Sequence, residues 1–321
     1  MSQLDKGEPV FSIAIHGGAG TILPEEMKPE LEEAYRQALK AAVDEGYEIL
    51  AAGGSAIDAV MAATISLEDC PLFNAGRGAV FTHEGGHELD ASLMNGADLA
   101  AGAVAGVTGV RNPILLAREV MLQTQHVLLA GEGAMSFARA CGIPLERPEY
   151  FFTEFRHRQW TEVRQTGISV LDHSTRAQLK GAHKMGTVGA VARDQQGNLA
   201  AATSTGGMTN KQYGRVGDSP VIGAGTWADN HTCAISCTGH GELFLKAVAA
   251  YDVHARMLYG QQSLQAAMHA TVHEKLVEMG GEGGMIGIDA SGHVSMMFNS
   301  AGMYRASRVR NQAAVVNIYK D

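Results

Sequence analysis

The chain has 321 residues, enough for one large α/β domain or two ordinary ones. Apolar residues make up 45% and charged residues 18%, a globular composition that excludes a disordered polymer. A net charge of −9, with no dense Lys/Arg block, argues against a nucleic-acid partner.

The opening residues, MSQLDKGEPV, have no basic region followed by an apolar run, so no secretion signal is expected, and no apolar stretch approaches a membrane span. Cys70, Cys141, Cys233 and Cys237 show no C-x-x-C spacing and read as reduced thiols of a cytoplasmic protein. Residues 10–15 form a short apolar strand, ending in a glycine-rich turn, His16-Gly17-Gly18-Ala19-Gly20. A long helix follows, with Leu31, Tyr35, Leu39, Ala42, Val43 and Leu50 on one face and Gly53-Gly54 at its end. Ser55 with Asp58 three residues later has the form of a capping box, opening a second helix that runs to about residue 68.

Residues 83–87, HEGGH, spell the H-E-x-x-H pattern of zinc peptidases. That pattern works on a helix, which sets both imidazoles on one face beside a metal-bound water. Here Gly85-Gly86 sits between strand-like flanks, GAVFT and ELDASLM, so a hairpin turn is expected and a zinc peptidase is the disfavoured alternative. Asn112-Pro113 opens another helix, with Asn as cap and Pro at the first helical position.

From residue 148 to 185 the chain turns polar and mixed in charge, and its second half reads as a mobile linker over about 171–186. Strands then resume: GTVGAVARDQQGNLAAATSTGG is a hairpin, and a similar outline recurs in GGMIGIDASGHVSMMFNSAG. Between them a buried strand runs into a buried helix, and a further helix covers residues 263–279. This order suits a layered α/β architecture with much antiparallel sheet, not a doubly wound nucleotide fold.

The boundary KMGTVGAV (184–191) is the most informative place in the chain. A threonine that opens a strand is ordinarily structural. If the chain is cut between Gly186 and Thr187, however, the freed α-amine can take the proton of the Thr187 hydroxyl and make it a nucleophile. An α-amine of pKa about 7.7–8.0 suits that task near neutral pH better than a lysine near about 10.4. Downstream, GRVGDSP offers Arg215 as a fork for a carboxylate and Asp218 as an acceptor for an ammonium, together a grip for a zwitterion, though a plain surface pair reads the same way. In CTGHGE, Thr238 and Gly239 stand where a hydroxyl and a backbone N–H could hold an oxyanion, or simply cap a helix.

Taken in order, IHGGAG (15–20), LEDCPLFNAGRGAVFT (67–82), ELDASLMNG (88–96), AGAVAGV (101–107), KMGTVGAV, TSTGGMTNK (203–211), GRVGDSP (214–220) and CTGHGE (237–242) closely resemble the plant-type L-asparaginase/isoaspartyl peptidase family. These are N-terminal-nucleophile hydrolases. The resemblance implies an αββα sandwich made as a precursor that cuts itself between Gly186 and Thr187. Residues 1–186 become an α subunit and 187–321 a β subunit, one structural domain between them, assembled as (αβ)₂. It implies Thr187 as nucleophile, Thr205 as a supporting hydroxyl, and Thr238 with Gly239 as the oxyanion hole. Arg215 and Asp218 would hold the substrate's α-carboxylate and α-amine, with Gly239, Gly241 and Asn74 lining the same pocket. A structural sodium ion would be held by the carbonyls of Leu67, Glu68, Cys70, Phe73, Ala75 and Arg77; no cofactor is implied for catalysis. Hydrolysis of β-aspartyl dipeptides and of the L-asparagine side-chain amide is the implied activity. A glycosylasparaginase-like amidase is the nearest alternative, disfavoured by Gly, not Asp, before the threonine. His240 is a departure: a member of the family reads T-G-T-G where this chain has Thr238-Gly239-His240-Gly241.

Overall fold

The computed structural model describes residues 10–166 and 186–320. Strand β1 (Ser12–Gly20) is followed by helices α1 (Pro29–Ala51) and α2 (Ala56–Asp69), strands β2 (Leu89–Asn95) and β3 (Ala101–Val107), and α3 (Pro113–Gln123). Strand β4 (Leu128–Ala130), α4 (Gly131–Ala140), α5 (Pro148–Phe151) and α6 (Glu154–Thr166) complete the first part. The second part runs β5 (Val188–Arg193), β6 (Leu199–Thr205), β7 (Thr226–Ala228), β8 (Cys233–Gly239), α7 (Gly241–Ala247) and α8 (Ala249–Leu258). Next come α9 (Leu264–His269), a π-helical stretch (Ala270–Lys275) and α10 (Leu276–Glu278), then β9 (Gly283–Asp289), β10 (Val294–Phe298), β11 (Gly302–Val309) and β12 (Val315–Tyr319). The expected linker, about 171–186, lies outside the described residues apart from Gly186.

The fold is mixed α/β with two sheets, ordered β12-β11-β1-β5-β6-β2-β3-β4 and β10-β9-β8-β7. Neighbouring strands are antiparallel, except for the parallel pair β3/β4. Apolar residues collect in three places. Tyr35, Leu39, Val60 and Leu116 of the helices meet Ile13, Ile15, Leu93 and Val188 of the large sheet. Ala14, Val191 and Ala201 of the large sheet meet Ala234, Ile286 and Ile288 of the small one. Ile235 and Met285, on the opposite face of the small sheet, meet Phe244, Val253 and Met268. Because side chains alternate across a strand, residues two apart from Ala14, Val191 and Ala201 also face the small sheet. That parity carries His16, Gly189, Thr187, Thr203 and Thr205 into the space between the sheets.

Several local expectations change. The glycine-rich His16–Gly20 run is not a turn; it continues β1, with a bulge between His16 and Gly18 where Gly18 takes φ +116. Residues 78–82 form no strand, only a single bridge from Thr82 to Lys211. Leu31 is 38% exposed, one residue outside the buried face of α1. Ser55 does cap α2 by accepting from Asp58 N at 3.2 Å. Asn112 does not cap α3: its amide turns to Asp69 Oδ1 at 3.1 Å, and Oε1 of the buried Glu68 carboxyl accepts from Ile114 N at 3.1 Å instead. The helix after β8 breaks at Val248, held at φ 49. Among the described residues no helix is long and apolar enough to cross a membrane.

Ile286 is fully buried between the sheets. Ile286→Ala is expected to cost about 2–5 kcal/mol, measurable as a lower urea midpoint at unchanged slope.

Candidate active site

Gly186 and Thr187 lie at the edge of the inter-sheet layer, just before β5, against the end of β1. A Cβ built on Gly18 would sit 2.7 Å from the Gly186 nitrogen and 2.9 Å from its oxygen. A Cβ on Gly186 would sit 2.6 Å from Thr238 Oγ1. The two glycines therefore let β1, the Gly186 peptide and the end of β8 close on one another. Ala19 N donates to Thr238 Oγ1 at 3.3 Å, so this hydroxyl faces the Gly186–Thr187 junction with a fixed partner. Gly239 follows at φ +151, and a Cβ there would lie 2.6 Å from Glu282 O.

Thr187 is buried, and its Oγ1 lies 3.2 Å from Ser219 Oγ. Ser219 follows Asp218 in the chain, so the loop that carries Arg215 and Asp218 touches the threonine hydroxyl directly. Thr205, opposite Asp90 in the β6/β2 pairing, accepts from Gly207 N at 3.0 Å.

Arg215 is not a loose surface cation. Its Nε and Nη2 donate to Glu242 Oε1 and Oε2, each at 2.8 Å, a bidentate fork. Burial pushes the Glu242 carboxyl up, but hydrogen bonds and charge from Arg215 outweigh this and leave it below the usual range. His240 Nε2 lies 3.7 Å from Glu242 Oε2, beside this pair. Asp218 is buried, its Oδ2 has no hydrogen-bond partner among the described residues, and burial pushes its carboxyl up to about 7 despite the nearby Arg215. Gly241 completes the corner: a Cβ there would lie 2.7 Å from Arg215 Nη2 and 3.0 Å from Asp218 Oδ1.

Asn74 is buried and committed at both ends of its amide, accepting from Val80 N at 3.0 Å and donating to Gly207 O at 2.7 Å. It ties the loop after α2 to the end of β6. In that loop the carbonyls of Leu67, Cys70 and Ala75 each accept one backbone N–H, at 3.3, 3.4 and 3.1 Å. Gly76 has φ +47, and a Cβ there would meet Glu68 O at 2.5 Å; a Cβ on Gly78 would meet Phe73 O at 2.0 Å. Arg77 points its guanidinium toward the Tyr150 ring, 5.6 Å away. The loop thus curls its carbonyl-bearing backbone tightly on itself, at glycines that no other residue could replace without movement.

The HEGGH stretch is a turn. Thr82 N donates to Gly86 O at 2.8 Å, and Gly85 takes φ +84. His83 Nδ1 lies 3.0 Å from Asn210 Oδ1, and His87 Nδ1 lies 3.2 Å from Val80 O. Among the described residues no group of three or more His, Cys, Asp and Glu side chains could hold a metal ion. Four residues at the site escape a reading of the sequence: His16, Ser219, Ser236 and Glu242. All act through partners far away in the chain: His16, Ser219 and Glu242 lie inside quoted motifs, but nothing in their spacing names the partner, and Ser236 lies outside them.

The chain belongs to the asparaginase family, whose profile matches residues 9–318. It is 54% identical over 309 residues to an isoaspartyl peptidase of Escherichia coli K12, with 96% of each chain covered. It is 53% identical to an isoaspartyl peptidase of Salmonella typhimurium, covering 96% of this chain and 98% of that one. An isoaspartyl peptidase/L-asparaginase of Xenopus laevis is 42% identical over 308 residues, covering 96% and 94%.

Asp218 also leaves a mark on stability. Its carboxyl titrates from 3.8 in the unfolded chain to about 7 when folded, so the folded state holds an extra proton in between. Its contribution is full below that window and is lost as pH rises through it. Asp218→Asn should flatten this part of the stability–pH curve and stabilise the protein relative to wild type at pH above about 7, as read by thermal unfolding.

Proposed function

We propose that this chain is an isoaspartyl peptidase/L-asparaginase that matures by cutting itself between Gly186 and Thr187 within an αββα sandwich. The observation that carries the reading is the contact of Thr187 Oγ1 with Ser219, beside Asp218 and the Arg215–Glu242 pair. Cleavage frees the Thr187 α-amine, which takes the proton from Oγ1 as it attacks the side-chain carbonyl of a β-aspartyl substrate. The tetrahedral oxyanion is held by the Thr238 hydroxyl and the Gly239 N–H. The protonated amine returns its proton to the leaving ammonia or amino acid. Water then hydrolyses the β-aspartyl ester with the same amine as base, restoring Thr187. Thr205 supports the nucleophile from the neighbouring strand.

Arg215 keeps its Nε/Nη2 edge on Glu242 and offers Nη1 to the substrate's α-carboxylate. Asp218 accepts from the α-ammonium, which supplies the partner its buried Oδ2 lacks and draws its pKa down. Gly239 and Gly241 leave room for the substrate backbone, and Asn74 holds the loop that borders it. A structural sodium ion in the loop after α2 would be held by the carbonyls of Leu67, Glu68, Cys70, Phe73, Ala75 and Arg77. Neutral oxygens crowded by a curled backbone suit a hard cation, which would fix the loop carrying Asn74. Two processed copies assemble as (αβ)₂, for which the support is the family resemblance. The four unpaired cysteines suit a reducing cytoplasm.

Purified wild-type protein should give two fragments by intact mass, meeting at Gly186/Thr187. Thr187→Ala should remain one chain and release no ammonia from L-asparagine; hydrolysis by that variant would sink the assignment. Arg215→Ala should still be cut but lose about tenfold or more in kcat/KM, as expected for losing a charge-assisted hydrogen bond worth about 1.5–3 kcal/mol. Exchange of sodium for choline in the buffer should lower the unfolding temperature of wild-type protein, since an ion bound only when folded stabilises by mass action.

A further inference from the structure

A chain of polar contacts runs behind the nucleophile. His16 is fully buried, with Nδ1 2.9 Å from the Thr187 carbonyl oxygen and Nε2 2.9 Å from Ser236 Oγ. Ser236 Oγ lies 2.7 Å from Thr203 Oγ1, which lies 2.5 Å from Thr226 Oγ1. Ser92 Oγ is 2.7 Å from Thr226 Oγ1 and 2.6 Å from the Ser219 carbonyl oxygen. Five side chains from β1, β8, β6, β7 and β2 thus link the two sheets.

The protons on this chain run one way. A carbonyl oxygen only accepts, so Nδ1 carries the hydrogen that reaches Thr187. Burial pushes the ring's pKa down to about 3, against the raising effect of that hydrogen bond, so the imidazole is neutral and Nε2 accepts. Ser236 therefore donates to Nε2 and has no hydrogen left for Thr203. Thr203 must donate to Ser236, not to Gly225 O at 3.2 Å, and Thr226 must donate to Thr203. Ser92 supplies the last hydrogen, to Thr226 or to the Ser219 carbonyl.

Two observations show that the bridge is built in. A Cβ on Gly189 would lie 2.0 Å from Ser236 Oγ and 2.7 Å from His16 Nε2, so the sheets join here only across a glycine. Both ends of the chain also come close to Thr187. One holds the Thr187 carbonyl, and the other lies 2.6 Å from the carbonyl of Ser219, whose hydroxyl is 3.2 Å from Thr187 Oγ1.

We infer that His16, locked by Ser236 as the neutral Nδ1–H tautomer, is a positioning residue that clamps the Thr187 peptide plane. The inference rests on Thr187 being the nucleophile. Once the chain before Thr187 is cut, that residue is a terminus, and chain termini fray unless tied down. The His16 hydrogen bond is made to the first peptide group that still anchors it, and from that group the amine and Oγ1 project.

The test starts with ¹⁵N imidazole NMR on the Thr187→Ala protein, which keeps the backbone carbonyl, with the His16 signals assigned by their loss in His16→Asn. The expected result is hydrogen on Nδ1 and none on Nε2, unchanged from about pH 5 to about pH 8. An Nε2–H tautomer, or titration in that range, overturns the inference whatever the nucleophile is. In the otherwise wild-type enzyme, His16→Asn keeps a donor near Nδ1, whereas His16→Gln presents its amide at the Nε2 end. For the cleaved fractions we expect kcat within about threefold of wild type for Asn and lower by about tenfold or more for Gln, with KM unchanged. Equal kcat in both variants overturns the positioning role; if neither variant folds, the NMR result decides. An inactive, uncut wild-type chain would sink the proposed activity and leave the tautomer measurement standing.

Discussion

Hydroxyls buried between two β-sheets have to find their hydrogen bonds inside the protein, and much of this fold is arranged around meeting that demand. An unmatched hydroxyl in such a place costs about 1–3 kcal/mol, so a row of them is tolerable only as a completed chain. Here the row runs from Thr226 through Thr203, Ser236 and His16 to the Thr187 carbonyl, each member passing one hydrogen forward, with Ser92 beside Thr226. Its completion fixes the relation of β1, β2, β5 and β6 in the large sheet to β7 and β8 in the small one. Alanines and glycines around it, such as Ala14, Ala201, Ala234 and Gly189, keep the sheets close enough for the hydroxyls to meet.

Beside this neutral strip lies a small charged one with a different balance. Arg215 and Glu242 satisfy each other through both oxygens, a pairing that is stable without any ligand. Asp218, in contrast, is buried with one oxygen unmatched among the described residues, and burial raises its carboxyl to about 7, so it keeps its proton to a higher pH than an exposed acid. One corner thus contains a completed ion pair and an uncompleted acid within reach of the same glycine, Gly241. Such an asymmetry suits a ligand that carries a positive group for one residue and a negative group for the other. It also explains why a motif that reads as an ordinary surface pair becomes specific once folded: the partner of Arg215 is Glu242, not its near neighbour Asp218.

Much of this is legible in the letters. The apolar run after Thr187 announces β5, and the buried face of α1 and the Ser55 cap follow from spacing alone. The hairpins announce themselves by Gly and Asn between apolar runs. What resists is decided by partners far off in sequence. His16 looks like part of a turn because glycines surround it, and only pairing with β5 and β11 reveals a bulged strand with an inward ring. Asn112 has every local qualification to cap α3, yet Glu68 arrives from α2 and does it instead. Near the chain's end, Arg305, Ser307 and Arg308 blur the alternation of β11, which is held by β1 from the other end of the chain and in turn pairs with β12.

On the proposed reading, Gly186 sets the order in which this molecule matures and begins to work. Its peptide occupies the ground between Gly18 and the Thr238 hydroxyl, with no room even for a methyl group. On the proposed reading that ground is where a substrate's acyl group must sit, so the uncut chain acts as its own plug. The same bond that withholds the base also fills the pocket, and a single scission removes both obstacles at once. Such a protein needs no separate inhibitor while it is being made, because its idle state is written into its own connectivity.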